Sequence, residues 1–478
     1  MTAVGCLLVF LAVFFMVLTV RAVQFRPLET DSPQPMLIAV EEDAAAKRLQ
    51  AMIRLRTISD LDDTQVDQQA FADFRALLPS LYPKVHEVCS REMIGAHGML
   101  YIWKGSSSDE PSVFMSHYDV VPVNEADWEE PPFSGNIKNG ELWGRGTLDT
   151  KGTLHGILEA AEILLAQGFT PKNDIYFAFG GDEEIMGKDA PAIVETLKSR
   201  GITPAFVLDE GGAVVDGVFP GVKRSAAMVG IAEKGSVFMD ITATGKGGHA
   251  SAPPTQQSLL TLSRALERLA RKPMPFTLTK SAVEMFNVLG RHSSFGYKLI
   301  FANLWCFAPL LDWICRKSGG ELNALVRTTC AFTRMKASEA YNVLPTSATA
   351  GLNLRLISGD TAQAVKARME RIIGDPSVTL TIRQGMEASK ISDTYDDSWN
   401  RLDSAIRQTY PEALVTPYLM LAASDSRHYC QISDHVLRFS GMPLSKEQRG
   451  LIHNANERIP LDYLKNTIGF FARVLLMS

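Results

Sequence analysis

The sequence contains few cysteines, and none of them form a closely spaced pair. Six cysteines are scattered over 478 residues, and no C-x-x-C motif occurs among them. This argues against a thiolate zinc site of the finger type and against a small fold held together by many disulfides. One or two disulfides stay open, so the cysteines do not fix the cellular compartment.

The sequence also lacks a long basic run, an internal repeat and a low-complexity tract. The formal net charge is −5 at neutral pH, with no segment in which lysine and arginine are concentrated. Because nucleic-acid binding needs a concentrated basic surface, we expect no nucleic-acid partner. A hydrophobic fraction of 46% and a charged fraction of 21% are typical of a globular protein, and the length suggests two or three domains.

A long apolar run lies at the amino terminus. Residues Ala3 to Val20 are apolar or small with one exception, and Arg21 ends the run. This length fits a signal-peptide core or a membrane-spanning helix. No basic residue precedes the run and the cleavage site is poor, so we favour an uncleaved anchor that is formed by residues 1–22. A cleaved signal, hence a secreted protein, and a buried helix stay open. Arg21 and Arg26 weakly place the body in the cytoplasm, but the side of the membrane stays open.

The residues after a predicted tether at 23–39 alternate between short apolar strands and helices. Short strands that are apolar on both faces are typical of a sheet covered by helices on both sides. We therefore predict an α/β fold with a doubly wound catalytic domain, formed by residues 40–233 and 386–478. The strands and the helix that carry this prediction are Val113–Ser116, Asp174–Gly180, Ala205–Leu208 and Thr153–Leu165.

The pattern changes from residue 234 onward, where strands alternate between apolar and polar residues. Half-buried strands combined with helices predict a separate α+β domain at residues 234–385, inserted into the first domain. Its elements are Val237–Thr244, Gln256–Arg271, Ala350–Leu356, Ala362–Ile373 and Val378–Ile382. The stretch from Met274 to Thr329 is rich in aromatic residues. It is interpreted as added core or a dimer contact, and a lining for an apolar substrate is the alternative.

Several side chains that bind metals follow the predicted strands. His117, Glu183-Glu184 and Asp209 lie at or just after strand ends, where the sites of open α/β sheets gather. Asp149 directly precedes a helix, and His453 lies near the carboxyl terminus. Each alone has a simpler explanation, such as a helix cap or a surface side chain. Together they form a nitrogen and oxygen donor set suited to zinc, cobalt or manganese.

The same residues lie in motifs that resemble the peptidase M20 family of two-zinc aminoacylases and carboxypeptidases. The likeness is greatest to the branch of carboxypeptidase S and the N-fatty-acyl-amino-acid synthase/hydrolases, and it covers nearly the whole chain after the apolar run. The motifs, in the family's order, are Ser116–Pro122, Trp143–Asp149, Asp182–Glu184, Asp209–Gly212, Gly248–Pro254, Asn342–Pro345, Asp425–Arg427 and Ile452–Glu457.

The resemblance implies a role for each residue of the donor set. It implies that Asp149 bridges two metal ions, expected to be Zn²⁺, with Co²⁺ and Mn²⁺ left open. One ion is completed by His117 and Asp209, and the other by Glu184 and His453. Asp119 is expected to accept the second N–H of His117 and to fix its tautomer. Glu183 is expected to act as the general base.

The resemblance also implies how a substrate is held. His249 is expected to reach across a homodimer and to stabilise the oxyanion, and the inserted domain is expected to be a lid that dimerises. Asn342 and Arg355 match lid positions that bind a free carboxylate, with Arg427 as a weaker candidate. Arg355 lies between Leu354 and Leu356, so it points away from the apolar face of its strand.

We therefore expect a metal-dependent hydrolase of the carboxypeptidase or aminoacylase type. Its substrates are expected to be N-acyl amino acids or small peptides with a free carboxylate. Condensation of a fatty acid with an amino acid on the same site stays open. An aminopeptidase and a non-catalytic binding protein with the same fold are the rival interpretations.

Overall fold

The computed structural model describes residues 3–28, 34, 36–219 and 221–478. Helix α1 (Ala3–Gln24) covers the predicted anchor, and it is long and apolar enough to cross a membrane or to be a signal sequence. The predicted tether at 23–39 lies partly outside the described residues, at 29–33 and 35, so it stays a prediction.

The first half of the large domain alternates strands and helices, as the apolar pattern predicts. The sixteen-residue helix α5 matches the predicted helix, because its leucines and isoleucines recur at helical spacing. The elements are α2 (Glu42–Ile53), α3 (Gln68–Leu81), α4 (Pro83–Val88), β1 (Ser90–Ile94), β2 (Gly98–Trp103), β3 (Ser107–His117), β4 (Ile137–Lys138), β5 (Glu141–Trp143), α5 (Lys151–Ala166), β6 (Asn173–Gly180), α6 (Asp189–Ser199), β7 (Phe206–Asp209), β8 (Val214–Val215) and β9 (Ala226–Glu233).

The inserted segment contains a second sheet and a run of helices. The alternating strands predicted there are present, with bounds within a few residues of the prediction. The elements are β10 (Gly235–Thr244), β11 (Gly248–His249), α7 (Ser258–Arg271), α8 (Lys280–Arg291), α9 (Phe295–Phe301), α10 (Leu304–Ser318), α11 (Gly320–Ala324), β12 (Thr329–Lys336), β13 (Val343–Leu344), β14 (Ser347–Leu356), α12 (Ala362–Ile373) and β15 (Val378–Met386).

The last segment returns to the large domain. Its elements are α13 (Asp397–Thr409), β16 (Leu414–Met420), β17 (Val436–Arg438), α14 (Lys446–Arg449), β18 (Arg458–Pro460) and α15 (Leu461–Leu476). The central sheet has the order β1-β2-β6-β3-β7-β17-β9-β16, with β8 beside β9. Strands β6, β3, β7 and β17 run parallel, and the edge pair β1–β2 is antiparallel. The predicted α/β fold is confirmed, with a mixed sheet at its centre.

Helices cover both faces of this sheet. Helices α5, α13 and α15 pack on one face in the largest hydrophobic core, which includes Ile157, Ile406 and Phe471. Helix α6 covers the other face, where Ile193 packs against Val207 of β7. Burial on both faces explains why the parallel strands are continuously apolar. The strand ends that carry polar side chains therefore emerge at one edge between two packed layers.

The lid sheet has the order β12-β14-β10-β15 and is covered on one face by α7 and α12. The apolar residues of β14, such as Leu354 and Leu356, are buried in this core, while Arg355 points to the opposite face. This alternation is what the sequence predicts for a half-buried strand.

The helices from α8 to α11 pack against a different sheet from the one that the predicted domain division assigns to them. They lie within the segment that the sequence assigns to the lid, but they pack against the large sheet. Phe286 and Phe301 contact Phe219, and their core includes Met228 of β9 and Leu414 of β16. A pattern of apolar residues predicts that a helix has a core face, but it does not say which sheet that face will cover. The interpretation of this stretch as added core fits these helices.

Candidate metal centre and active site

The strand ends of the large sheet bring the predicted donors together. His117 ends β3, Glu183 and Glu184 form a turn directly after β6, and Asp209 ends β7. Because β6, β3 and β7 are adjacent and parallel, their carboxyl ends meet at one edge of the sheet. Asp149 reaches this edge from the loop before α5.

Asp149 lies between two histidines. Its Oδ1 is 3.2 Å from Nε2 of His117, and its Oδ2 is 3.0 Å from Nε2 of His453. His453 Nε2 is also 3.0 Å from Oε2 of Glu184. A carboxylate whose two oxygens face two different nitrogen donors has the geometry of a bridge between two cations.

A second group of donors surrounds His117. Its Nε2 is 3.5 Å from Oε1 of Glu210 and 3.7 Å from Oε2 of Glu183. The donor atoms of His117, Asp149 and Glu184 lie within 4.8 Å of one another, and so do those of His117, Glu183 and Glu210. Two overlapping donor groups that share His117 are therefore present in the described part of the chain.

Glu210 lies beside His117 in this cluster, whereas Asp209, the predicted ligand, points elsewhere, so its predicted role stays a prediction. Side chains alternate along β7, so Asp209 lies on the same face as Val207, towards α6. Its Oδ2 accepts a hydrogen bond from the backbone N–H of Ser426 at 3.0 Å. Glu210 follows the end of the strand and turns to His117. The sequence signal, two adjacent carboxylates, does not say which one turns inward.

Asp119 lies behind His117, where the sequence expects it. His117 Nδ1 lies 3.1 Å from the backbone carbonyl oxygen of Asp119, with which it forms a hydrogen bond, and 3.2 Å from Oδ1 of the same residue. The Asp119 carboxylate also accepts hydrogen bonds from the backbone N–H groups of Glu183 and Glu184, at 3.2 and 3.1 Å, and from the hydroxyl of Ser59 at 2.8 Å. Asp119 thus orients the imidazole through its carbonyl and carboxylate oxygens, and its carboxylate fixes the turn that carries two glutamates.

Glu457 is a positioning residue to which the sequence analysis assigned no role. It is fully buried, and Oε1 accepts hydrogen bonds from the backbone N–H groups of Leu148 and Asp149 at 2.7 and 3.2 Å. Oε2 accepts one from Nη1 of Arg145 at 2.6 Å. Glu457 therefore holds the loop that presents Asp149. Its only signal in the sequence is its place in the motif that also contains His453.

The electrostatics of the cluster indicate that it lacks positive charge. Burial raises the pKa of Glu183 well above its ordinary value and raises the pKa of Glu210 to about 7. Hydrogen bonds to Asp149 and to a second carboxylate raise the pKa of His453 to about 10. Burial opposes ionisation of Asp149, but hydrogen bonds with His117 and His453 lower its pKa overall.

The donor set fits a pair of divalent cations. Oε1 of Glu184 is buried and has no hydrogen-bond partner among the residues that the structure describes. An unpartnered buried carboxylate oxygen is costly unless a cation or a donor approaches it. The imidazoles of His117 and His453 and the carboxylates around them are also the donor types that zinc, cobalt and manganese accept.

Arg355 and Arg427 line a cavity of about 280 Å³ together with Glu183, Glu184 and His453. Within the described ranges, Arg355 forms no hydrogen bond or ion pair, and burial lowers its pKa. Arg427 is more constrained, because Nη2 donates to the carbonyl of Glu387 at 2.7 Å. Its Nη1 has no hydrogen-bond partner in the described chain and lies 3.7 Å from Oε2 of the buried Glu233. The lid thus presents Arg355 to the metal cluster, and the large domain presents Arg427.

Of the three residues predicted in the lid, only Arg355 lines this cavity. His249 and Asn342 lie on or beside the small ribbon β11–β13, and both are exposed. His249 Nδ1 is 2.7 Å from the hydroxyl of Ser251, and the carbonyl of Asn342 accepts from the N–H of Ala250 at 3.1 Å. A single chain therefore brings Arg355 to the cluster and leaves His249 on its surface.

A second, apolar cavity of about 320 Å³ lies beside the cluster. Its wall includes Gly211, which follows Glu210, and Ile452, which precedes His453. Phe219, Met285 of α8 and Leu322 of α11 form part of its apolar lining. The metal cluster is thus bordered by a cationic cavity and by an apolar one.

Comparison with known proteins identifies the family of this chain. The profile of Peptidase family M20/M25/M40 matches residues 113–477. The chain is 36% identical over 444 residues to the N-fatty-acyl-amino acid synthase/hydrolase PM20D1 of Xenopus tropicalis, covering 92% of this chain and 86% of that protein. It is 35% identical over 438 residues to the probable carboxypeptidase S-like 2 of Dictyostelium discoideum, covering 90% and 84%.

Solved structures share the fold at low sequence identity. The M20 family metallo-carboxypeptidase Sso-CP2 from Sulfolobus solfataricus superposes with a TM-score of 0.65 at 16% identity, covering 92% of this chain and 99% of that one. The YXEP protein of Bacillus subtilis, a dinuclear metal-binding peptidase of the M20 family, gives a TM-score of 0.56 at 13% identity, covering 91% and 98%. This chain belongs to Peptidase family M20/M25/M40, and the predicted resemblance to metal-dependent peptidases is confirmed at that level.

Proposed function

We propose that this protein hydrolyses the amide bond of N-acyl amino acids or small peptides that carry a free carboxylate, with two divalent cations bound at the cluster. The observation that carries the proposal is the shared cavity of Arg355, Glu183 and Glu184. A guanidinium without an ion-pair partner beside a metal-type donor set matches a substrate with a carboxylate next to its scissile amide.

The residues that would hold the cations follow from the distances. Asp149, His117 and Glu210 would hold one cation, and Asp149, Glu184 and His453 would hold the other. Zn²⁺ is the expected metal, although the donors also suit Co²⁺ or Mn²⁺. When bound, the cations would polarise the scissile carbonyl and make water easier to deprotonate.

The chain's own residues supply proton transfer and positioning. Glu183 lies beside the cluster, so its carboxylate takes the proton of the attacking water and delivers it to the leaving nitrogen. Asp119 orients His117 through Nδ1, and Glu457 holds the loop of Asp149. These two buried carboxylates keep the donors in place without touching the substrate.

The cationic cavity determines which end of the substrate the protein recognises. Arg355 binds the free carboxylate, and Arg427 adds positive charge on the same side. An aminopeptidase would instead present a carboxylate to a free amine, which this cavity does not favour. The carboxyl-terminal residue or amino-acid moiety therefore lies towards the lid.

The apolar cavity on the other side of the metal cluster favours a long acyl chain as the group that is cleaved from the amide nitrogen. Burying methylene groups contributes about 0.8 kcal/mol each, so a cavity of this kind discriminates by chain length. A relative named as a synthase/hydrolase acts on N-fatty-acyl amino acids by its name. Condensation on the same site is the second candidate, and it depends on high concentrations of the fatty acid and the amino acid.

The exposed position of His249 and Asn342 supports a homodimer in which each lid completes the partner's site. Phe332 and Met335 are exposed on β12, an edge strand of the lid sheet. An unpaired edge with apolar side chains is suited to pairing with a second copy. In such a dimer His249 would stabilise the oxyanion of the site opposite.

An activity screen of the full chain in detergent, supplemented with zinc or cobalt, tests the proposal. The panel contains N-acyl amino acids of short and long chain length, Gly-Xaa dipeptides, and the same compounds amidated at the carboxylate. We expect hydrolysis of the free acids, abolished by Glu183→Gln, and little hydrolysis of the amides. Absence of turnover across the panel, with both cations bound, would rule the proposal out.

A further inference from the structure

The amino-terminal helix is attached to the body through one face of its second half. Phe14, Leu18 and Ala22 recur every four residues, so they lie on one face of α1. Leu18 and Ala22 are buried, and the ring of Phe14 contacts Trp305 of α10 edge-on, with 6.1 Å between centroids. Helix α1 therefore packs on the helices that follow α8.

Polar contacts fix the same junction. The side-chain amide of Asn303 donates to the carbonyl of Leu18 at 3.1 Å. The guanidinium of Arg21 donates to the carbonyl of Ala302 through Nε and Nη2, at 3.1 and 3.0 Å. Asn303 and Ala302 occupy the bend between α9 and α10. The three helices α1, α9 and α10 thus form one unit, which we call the docking unit.

The outer face of α10 is aromatic and exposed. Trp305, Pro309 and Trp313 recur every four residues, and the two tryptophans are 62% and 57% exposed. The opposite face of the helix carries Leu311 and Cys315, which are buried in the core of the large domain. Large apolar side chains at such exposure need a partner surface.

The shape of the docking unit matches a bilayer. Helix α1 has 22 residues, and at 1.5 Å per residue it is roughly 33 Å long, close to the thickness of a hydrocarbon core. Helices α9 and α10 meet at 110°, and together they are long and apolar enough to form a broken span or a re-entrant loop. The pair is therefore apolar enough to enter a membrane beside α1.

The depth of contact fits insertion into the interface. Seven residues separate Arg21 from Phe14, so Trp305 lies roughly 10 Å along the axis of α1 from the guanidinium. Helices that lie in a membrane surface bury their apolar faces by roughly 5–10 Å. If Arg21 marks the headgroup level, Trp305 lies within the outer part of the acyl region.

Basic side chains continue the aromatic face. Arg316 and Lys317 are exposed at the end of α10, and the ammonium of Lys317 lies 5.1 Å from the ring centroid of Trp313. Tryptophan with neighbouring lysine and arginine is the composition that membrane interfaces favour, because the basic groups reach anionic headgroups.

We propose that the docking unit is a membrane-contact surface in which α9 and α10 enter the bilayer interface beside α1. The occupant of the exposed face is lipid rather than a second copy of the chain. The face is continuous with a helix of bilayer length, and its aromatic side chains are followed by basic ones. The proposal is independent of the reaction at the metal cluster.

Fluorescent labelling of the full chain in lipid vesicles tests this surface. Cys6, Cys306 and Cys330 are replaced by serine, and an NBD probe is attached to Leu310→Cys or, in a separate variant, Trp313→Cys. A matched label at Leu61→Cys, an exposed leucine of the large domain that lies outside the docking unit, is the control. Vesicles contain phosphatidylcholine and phosphatidylserine, with or without doxyl-labelled lipid.

We expect blue-shifted emission and quenching by doxyl lipid at positions 310 and 313, with neither effect at position 61. Thermal unfolding of each variant in detergent confirms that the label has not disrupted the fold. The proposal is overturned if the probes at 310 and 313 are as accessible to aqueous iodide as the control. It is also overturned if their protection increases with the protein-to-lipid ratio, because that dependence identifies a second copy as the occupant.

Discussion

The adjacent carboxylates Asp209 and Glu210 provide a sharp test of the metal centre. The structure turns Glu210 towards Nε2 of His117, at 3.5 Å, and turns Asp209 towards the backbone of Ser426, at 3.0 Å. We therefore expect Glu210→Gln to weaken the binding of one of the two cations, and Asp209→Asn to leave both bound.

The magnitude follows from the position of each side chain. Substitution of residues that only support a metal ligand reduces metal affinity by about 10–100-fold, so loss of a ligand should exceed about 100-fold, or about 2.8 kcal/mol. Asn at position 209 keeps an oxygen that accepts from Ser426, so its effect should stay within about tenfold. Both variants preserve side-chain size, which makes them matched controls for each other.

Metal content after dialysis against zinc buffers of graded free concentration measures the difference. The wild type and Asp209→Asn should lose their two cations over the same range, whereas Glu210→Gln should release one of them at much higher free zinc. The reverse result, with Asp209→Asn losing one cation and Glu210→Gln keeping both, would refute the structural assignment and restore the sequence-based one.

The remaining predictions concern the substrate, the dimer and the buried core. Arg355→Gln should lower kcat/KM for free-acid substrates by about 10–100-fold, from the loss of a charge-assisted hydrogen bond of about 1.5–3 kcal/mol, and should not change hydrolysis of amidated analogues; an equal loss on both would contradict carboxylate binding. An equal mixture of inactive Glu183→Gln and His249→Ala chains should recover about a quarter of wild-type activity if dimers exchange subunits, because half of the dimers are mixed and each mixed dimer has one intact site. Size-exclusion chromatography with light scattering should show the dimer. If the dimers exchange and no activity returns, the histidine does not act across the interface. Glu233→Gln should destabilise the fold by about 3–5 kcal/mol in urea unfolding, since it leaves the fully buried guanidinium of Arg438 without the carboxylate that lies 2.5 Å from Nε; a loss below about 1 kcal/mol would contradict that account.

The pH dependence of the buried pair has a defined sign. Burial alone would raise the pKa of Glu233, but the charges of Arg438 and Arg427 hold the pKa below its ordinary value. A depressed carboxyl pKa contributes stability that is present above the unfolded pKa and is lost as the pH falls through the folded one. Glu233→Gln should therefore flatten the acid limb of the stability curve.

The sequence predicts regular elements well where one physical pattern dominates. Helix α12 is predicted at its observed bounds, and β15 begins at the predicted Val378, because periodic apolar residues reflect local geometry. Most of the donor set is predictable for another reason: a parallel sheet gathers its strand ends at one edge. His117 and Glu184 reach the cluster in this way.

The sequence predicts less where long-range packing decides. Helices α8 to α11 join the large domain because Phe286 and Phe301 meet Phe219, which is distant in sequence. At the end of β7, the choice between Asp209 and Glu210 depends on how the chain turns out of the strand. Gly211 has a positive φ of 110°, a conformation that glycine adopts easily, and no periodic pattern records it.

The inserted segment connects the two ends of the proposed substrate to two different layers of the protein. Its lid sheet presents Arg355 to the metal cluster from one side, where a carboxylate is expected. Its helices return to the large sheet, and Leu322 of α11 lines the apolar cavity on the other side. Helix α10, which directly precedes α11, belongs to the docking unit. If that unit contacts lipid, the apolar cavity has a wall that is anchored at the membrane surface. An amphipathic substrate would then leave the bilayer with its acyl chain directed towards the apolar cavity and its carboxylate towards the lid.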